Sequence, residues 1–296
     1  MGGTLATVGM FDGLHSGHRF LLDFICREAK AEGLSTTVVT FANHPLSVVR
    51  PHDTPRLLSS PDEKKQLLTG AGIDNVVMLK FTPELRNMTA RQFIEMLRDN
   101  YGITHLAMGF NNSFGNDRSL TFDDFHRIGQ EAGVKIIAMP EYRDHGHRVS
   151  SSVVRRLVSA GDINSVTTML GRRYSLTGEV VHGRRVGHTI GFPTANINPS
   201  FPLKIIPANG VYTAITNIDG KTYRAMVNIG MRPTFESETP SMSIEAHIDG
   251  LDRELYGSTI TLGFTSRLRN EMKFNSVDEL KSQLSVDLKA LRAIPF

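Results

Sequence analysis

The chain has 296 residues, which exceeds the roughly 100 to 200 residues of a typical domain, so two domains are expected. Its composition, with 40% hydrophobic and 21% charged residues and no low-complexity tract, excludes collagen, coiled coil and general disorder. The net charge of +3 is spread over the chain in pairs, which favours small phosphorylated ligands over nucleic acid as partners.

Cys26 is the single cysteine, so the chain cannot form an internal disulfide, and this is typical of a reducing compartment. The sequence shows no signal-peptide pattern and no apolar run of about 18 residues. We therefore expect a cytoplasmic protein that acts on small molecules, without membrane or nucleic-acid partners, as a monomer or a weak homo-oligomer.

The first half of the sequence alternates runs rich in β-branched residues with helical patterns. The strands are predicted at 4–11, 35–41, 75–81, 105–110 and 134–140, and the helices at 18–33, 60–72, 89–102 and 121–133. This alternation predicts an α/β, Rossmann-like domain with a parallel sheet covered on both faces. Three polar segments, 11–18, 40–45 and 109–118, follow its strands, at the sheet edge where such folds bind ligands.

From about residue 172, short alternating runs are separated by turns rich in glycine and proline. This pattern predicts a small antiparallel β barrel or sandwich, followed by an amphipathic helix at 275–294. A helical stretch at 151–170 is assigned to the first domain. The predicted domains are therefore 1–170 and 171–296.

His15 and His18 lie in a glycine-rich turn that leads from the first strand into the first helix. The free N–H groups of a helix start attract anions, and imidazoles can donate hydrogen bonds to phosphoryl oxygens. A zinc site, which lacks further ligands here, and two histidines without a special role are the other interpretations. The pattern favours a phosphate site.

Ser151 and Ser152 stand at the start of a predicted helix, between Arg148 and Arg155. Capping of the helix would explain one serine. The hydroxyls and guanidinium groups together would also suit a triphosphate.

The stretch 9–18 reads Gly-x-Phe-Asp-Gly-x-His-x-Gly-His and resembles the HxGH signature of nucleotidyltransferases, in the form found in bacterial FAD synthetases. The resemblance implies that His15 and His18 are catalytic. It further implies an ATP site formed by Gly9, Phe11, Asp12, Gly17, His44, Arg148, Ser151, Ser152 and Arg155. Asn111, an expected flavin contact, stands where that family usually has aspartate.

A second string, 183–196, ends in Phe-Pro-Thr-Ala-Asn and resembles the signature of riboflavin kinases. The resemblance implies that Thr194 and Asn196 hold Mg²⁺ and the ATP phosphates, and that Glu245 is the catalytic base. The implied ATP-binding residues of this domain are Gly183, Gly187, Gly191, Pro193, Thr194 and Asn196, and the implied flavin contacts are Asn228 and Arg269. His188 stands at a position where riboflavin kinases frequently have arginine.

Taken together, the motifs from residue 8 to 292 resemble the prokaryotic bifunctional riboflavin kinase/FAD synthetase family. The implied reactions are ATP-dependent phosphorylation of riboflavin to FMN by the second domain and adenylylation of FMN to FAD by the first. Two alternatives stay open. One is a riboflavin kinase whose adenylyltransferase activity is impaired at Asn111, and the other is a non-catalytic regulator that binds flavin or nucleotide.

Overall fold

A parallel sheet of five strands organises the first half of the chain. The structure is a computed structural model and describes residues 2–109, 114–117, 120–142, 149–183, 190–232 and 241–295. The chain divides into two units, Met1–Ser151 and Ser152–Phe296, and each unit is described by itself.

The strands of the first unit are β1 (Thr4–Val8), β2 (Ser35–Phe41), β3 (Asn75–Leu79), β4 (Ile103–Met108) and β5 (Lys135–Ala138). They pair in the order β3-β2-β1-β4-β5, and every pair is parallel. The described helices are α1 (Ser16–Glu32), α2 (Leu46–Val49), α3 (Pro61–Gly70), α4 (Pro83–Asn87), α5 (Ala90–Tyr101) and α6 (Phe122–Glu131). The predicted parallel α/β domain is confirmed.

Neighbouring residues of each strand contribute to opposite faces of this sheet, because side chains alternate along a strand. Leu5 packs with residues of α1 and α3, whereas Ala6 packs with residues of α5 and α6. The sheet is therefore covered by helices on both faces.

Local sequence sets the helix bounds. A capping box starts α3: the Ser60 hydroxyl accepts from the Glu63 backbone N–H, and the Glu63 carboxylate accepts from the Ser60 backbone N–H. Helices α1 and α5 end at Gly33 and Gly102 in the left-handed conformation, which glycine adopts without steric cost.

The helical stretch predicted at 151–170 is two helices, α7 (Ser151–Ala160) and α8 (Ile163–Leu170). Gly161 has a φ of 77°, and Asp162 caps α8 by accepting from the Ser165 backbone. A left-handed glycine followed by a cap residue ends one helix and starts another. Apart from Ser151, the first residue of α7, both helices fall within the second unit. The domain boundary predicted at 170/171 stays a prediction.

The second unit contains a closed antiparallel barrel. Its strands are β6 (Tyr174–Val181), β7 (Ala195–Pro199), β8 (Gly210–Ile218), β9 (Lys221–Arg232), β10 (Ser241–Ile248) and β11 (Thr259–Arg269). They close in the order β10-β7-β6-β11-β8-β9. The structure therefore decides for the barrel and against the sandwich. None of the helices in the described ranges has the length and hydropathy to cross a membrane.

The last helix, α9 (Val277–Arg292), is attached to the barrel by apolar packing and by a buried ion pair. Asp287 is only 4% exposed and accepts from Nε of Arg269 at 2.9 Å and from Nη2 at 2.8 Å. Gln283 donates a further hydrogen bond to the same carboxylate. Removal of one partner from such a pair leaves an uncompensated buried charge.

Asp287→Asn is therefore expected to lower the free energy of unfolding of the second unit by about 3 kcal/mol. Urea titration of the full chain, followed by hydrogen exchange of the β11 amides, measures this loss. Asp278→Asn is the matched control, because Asp278 lies exposed on the same helix and contributes at most about 1 kcal/mol through the helix dipole. Equal losses in the two variants would contradict the structural role of the ion pair.

Candidate active sites

The loop between β1 and α1 has an unusual backbone. Phe11 and Leu14 have φ values of 45° and 39°, and Gly13 between them has a φ of 78°. A left-handed conformation costs a residue with a side chain about 1 kcal/mol or more, and such residues are frequent at active sites. The loop leads into His15, the N-cap of α1, whose Nδ1 accepts from the backbone of His18 at 3.4 Å.

His15 and His18 stack on each other, with ring centroids 3.7 Å apart and an interplanar angle of 18°. Burial lowers the pKa of His15 to about 4, although the nearby Asp12 carboxylate opposes this shift. Burial also lowers the pKa of His18, with further contributions from His15 and from Lys64. Both imidazoles are therefore neutral at pH 7. Nδ1 of His18 is buried, and no described residue forms a hydrogen bond with it.

Asp12 fixes the shape of this loop. Its carboxylate is 1% exposed and accepts hydrogen bonds from the backbones of Leu58 and Ser59 and from the Ser59 hydroxyl. The Ser151 hydroxyl donates to the carbonyl oxygen of Asp12 at 2.9 Å. The structure thus brings Asp12 and Ser151 together with the loop that bears His15.

The glycines of the motif allow close packing of this loop. Gly9 donates its N–H to the Val39 carbonyl, and a Cβ at Gly9 would lie 2.9 Å from the Phe11 ring. A Cβ at Gly17 would lie 3.1 Å from the ring of Tyr142. A side chain at either position would therefore displace an aromatic ring beside the loop.

Lys64 was missed by the sequence reasoning. Its side chain is 2% exposed, and its ammonium donates to the Phe41 carbonyl at 2.8 Å and to Oγ1 of Thr40 at 3.4 Å. Burial lowers its pKa to about 8, against the opposing effect of Asp12. The spacing of Lys64 and Leu68, four residues apart on one helix face, is the signal that could have found it.

The remaining predicted residues of this site are only partly described. His44 accepts a hydrogen bond from the backbone of Leu46, just after β2. Arg155 donates to the Ser152 hydroxyl at 3.4 Å in α7, within the second unit. Asn111 and Arg148 lie outside the described residues. In the described part of the chain, no group of three or more His, Cys, Asp or Glu side chains could hold a metal.

The barrel brings four predicted residues together. Glu245 of β10 pairs with Asn196 of β7 on one side and with Asn228 of β9 on the other. The Thr194 hydroxyl donates to Oε2 of Glu245 at 3.3 Å. Three strands and the segment before β7 thus place a carboxylate among a hydroxyl and two amides.

The glycines and proline before β7 shape this site. A Cβ at Gly183 would lie 2.0 Å from Nδ2 of Asn196, so only glycine leaves room for that amide. Gly191 has a φ of 82°, and the Pro193 carbonyl contacts Nδ1 of His247 at 2.9 Å. Gly187 and the neighbouring His188 lie outside the described residues.

A cavity of about 170 Å³ opens beside Thr194. Its lining combines apolar side chains with charged side chains and one aromatic side chain. The residues that line it include Val180, Pro193, Ala246, Asp252, Arg253 and Tyr256. A pocket of mixed apolar and polar character next to hard oxygen donors is suited to part of a nucleotide.

Arg269 has a structural task in addition to the flavin contact predicted for it. Its guanidinium binds the carboxylate of Asp287 and donates to the carbonyl of Asn270 through Nη1. The flavin contact stays a prediction.

Comparisons with known proteins match families to both halves of the chain. The FAD synthetase family matches residues 1–153, and the riboflavin kinase family matches residues 170–295. A bifunctional riboflavin kinase/FMN adenylyltransferase from Pseudomonas fluorescens is 33% identical over 99% of this chain and 93% of that protein. The protein of the same name from Bacillus subtilis is 31% identical over 96% of this chain and 90% of its own length.

A crystal structure described as a macrolide-efflux protein from Streptococcus pneumoniae also matches. Its TM-score is 0.90 with 28% identity, covering 99% of this chain and 95% of that chain. That description belongs to that protein, and the similarity supports the fold of the present chain.

The α/β unit with its histidine loop and the barrel with its Glu245 cluster define a two-domain transferase with nucleotidyltransferase and kinase folds. The chain belongs to the bifunctional riboflavin kinase/FMN adenylyltransferase family.

The neutral histidine pair makes the stability of the first unit depend on pH. The pKa of His15 falls from 6.5 to about 4 on folding. Between these pH values, His15 binds a proton in the unfolded chain but not in the folded chain, and this stabilises the unfolded chain. His15 alone should then cost roughly 3 kcal/mol of stability between pH 6.5 and 4. Urea titrations at several pH values, followed by hydrogen exchange of the β1 amides, measure this slope.

His15→Asn is the informative variant, because asparagine retains an N-cap acceptor and does not titrate. It should lose clearly less stability than the unchanged chain over the same pH range. Identical slopes for the two proteins would contradict the neutral, buried state of His15.

Proposed function

We propose that the barrel transfers the γ-phosphoryl group of ATP to riboflavin, and that the α/β unit transfers the adenylyl group of a second ATP to the resulting FMN. The products are FMN and ADP, then FAD and diphosphate. The observation that carries this proposal is the position of Glu245, hydrogen-bonded to Thr194 and in register with Asn196 and Asn228. Membership of the family over both units supports it.

In the barrel, Glu245 accepts the proton of the ribityl 5′-hydroxyl. The 5′ oxygen of riboflavin attacks the γ-phosphorus of ATP, and ADP leaves. The Thr194 hydroxyl and the Asn196 amide oxygen are hard donors beside a carboxylate, so they fit Mg²⁺. Mg²⁺ held there would offset the negative charge of the phosphates. Asn228 is in register with Glu245 and would orient the flavin substrate toward that base.

In the α/β unit, an oxygen of the FMN phosphate attacks the α-phosphorus, and the bond from that phosphorus to the diphosphate oxygen breaks. No protein base is needed, because the FMN phosphate is already ionised. Neutral His15 and His18 each have one ring N–H to donate to phosphoryl oxygens. Ser151 would add a hydroxyl donor to the triphosphate, and the contacts expected of Ser152 and Arg155 stay predictions.

The predicted alternative of a riboflavin kinase with impaired adenylyl transfer rests on Asn111, which lies outside the described residues. The amount of FAD formed from supplied FMN decides between this alternative and the full bifunctional enzyme. The cytoplasmic location, the absence of nucleic-acid and membrane partners and the oligomeric state also stay predictions.

The two activities should be separable by single substitutions. Glu245→Gln removes the base and should lower FMN formation about 10²- to 10⁴-fold, while FAD formation from supplied FMN is unchanged. His18→Ala removes a donor to the transferred group and should lower FAD formation about 10²- to 10³-fold, while FMN formation is unchanged. Chromatographic separation of riboflavin, FMN and FAD measures both rates in one assay.

Each variant is the control for the other, because both carry one intact site. Loss of both products in either variant, with the fold preserved by circular dichroism, would show that the two reactions do not use separate sites.

A further inference from the structure

Lys64 is a buried cation whose contacts in the described part of the chain are with neutral groups. Its ammonium bonds to a backbone carbonyl and a hydroxyl at the carboxyl end of β2, and no described carboxylate lies within ion-pair distance of it. Burial of a charge without a counter-charge costs several kcal/mol and is rarely retained without a use. The nearest acid, Asp12, uses its oxygens for Leu58 and Ser59.

The position of Lys64 links it to the histidine loop. Thr40, which accepts from the ammonium, donates its own hydroxyl to the carbonyl oxygen of Met10 at 3.0 Å. The charge of Lys64 is also close enough to lower the pKa of His18. The ionisable groups of neighbouring elements that interact with it are Asp12 and His18.

A second observation in the same place points to a ligand. Nδ1 of His18 is buried and has no hydrogen-bond partner among the described residues, although buried polar atoms of this kind are nearly always paired. A buried cation whose described hydrogen-bond partners are all neutral and an imidazole nitrogen without a described partner are both satisfied by an anion that carries several oxygens. The nucleotide polyphosphate is such an anion.

We propose that Lys64 is a positioning residue for adenylyl transfer, whose buried ammonium draws the ATP polyphosphate toward the histidine pair and is neutralised by it. The Lys64 ammonium lies at the end of β2 and attracts the polyphosphate electrostatically. The low dielectric of the protein interior strengthens this attraction. Because ATP neutralises the cation, nucleotide binding raises the proton affinity of Lys64. This inference rests on the proposed adenylyl transfer.

The test compares Lys64→Met, which retains the length of the side chain without charge, with Lys64→Arg, which retains the charge at every pH. For FAD formation from FMN, Lys64→Met should lower kcat/KM for ATP about tenfold or more, mainly through KM. Lys64→Arg should recover part of this loss. Lys65→Met is the matched control, because Lys65 is the next residue of the same helix and is exposed.

Phosphorylation of riboflavin by the same preparations reports whether the chain is folded, and it should be equal in all four proteins. A folded Lys64→Met protein with unchanged kcat/KM for ATP overturns the inference. So does an equal loss in the Lys64→Met and Lys65→Met proteins.

The pH profile gives a readout that a merely structural lysine would not change. With the pKa of Lys64 at about 8, kcat/KM for ATP should fall above that pH in the unchanged chain and stay level in Lys64→Arg. The profile of the unchanged chain decides the question even where a variant does not fold, and absence of the fall overturns the inference. If the unchanged chain makes no FAD at any pH, adenylyl transfer itself is contradicted. If FAD forms but its rate does not change on substitution of Lys64, only this inference is contradicted.

Discussion

The carboxylate of Asp12 accepts from three donors, the backbone N–H groups of Leu58 and Ser59 and the Ser59 hydroxyl, and thereby holds the loop between β1 and α1 in a strained conformation. A buried carboxylate with this number of donors has exchanged its water shell for fixed partners, so it cannot move without a large loss of free energy. The histidine pair, the start of α1 and the start of α3 are all positioned relative to this one group. The hydrogen bonds to the Asp12 carboxylate therefore preorganise the candidate adenylyltransferase site before a ligand binds.

The barrel achieves the same result by strand register. Glu245 lies between Asn196 and Asn228 because antiparallel pairing places one residue of each strand in the same row. A shift of one residue along a strand would turn these side chains to the other face of the barrel wall. Gly183 leaves room for the amide of Asn196, since any side chain at position 183 would collide with that amide. A closed barrel has no free edge at which the register could slip.

The sequence predicts the fold well where hydrophobic periodicity is regular. The strand 35–41 is found with the predicted bounds, and the capping box at Ser60 marks the start of α3. The break at Gly161 was missed, because its neighbours on both sides have good helical patterns and only the backbone shows the left-handed conformation. The choice between barrel and sandwich depends on which strands pair over long range, and local patterns do not contain that information.

The site residues show the same division. The motifs singled out His15 and His18, which stack on each other at the start of α1, and Glu245 of β10, which accepts from Thr194; their catalytic roles stay predictions. Lys64 and Asp287 are charged residues on amphipathic helices, and such residues usually face solvent, so their burial follows only from tertiary packing. In both cases a charge in the protein interior is the feature that sequence patterns conceal.

The central claim is that one chain uses two ATP molecules for two different phosphorus centres in two separate sites. Incubation of the full chain with riboflavin and ATP labelled either in the α- or in the γ-phosphate tests it most directly. The account predicts that the γ label appears in FMN and is retained in FAD, whereas the α label enters FAD and never FMN. The appearance of the α label in FMN, or of FAD without the γ label, would contradict it.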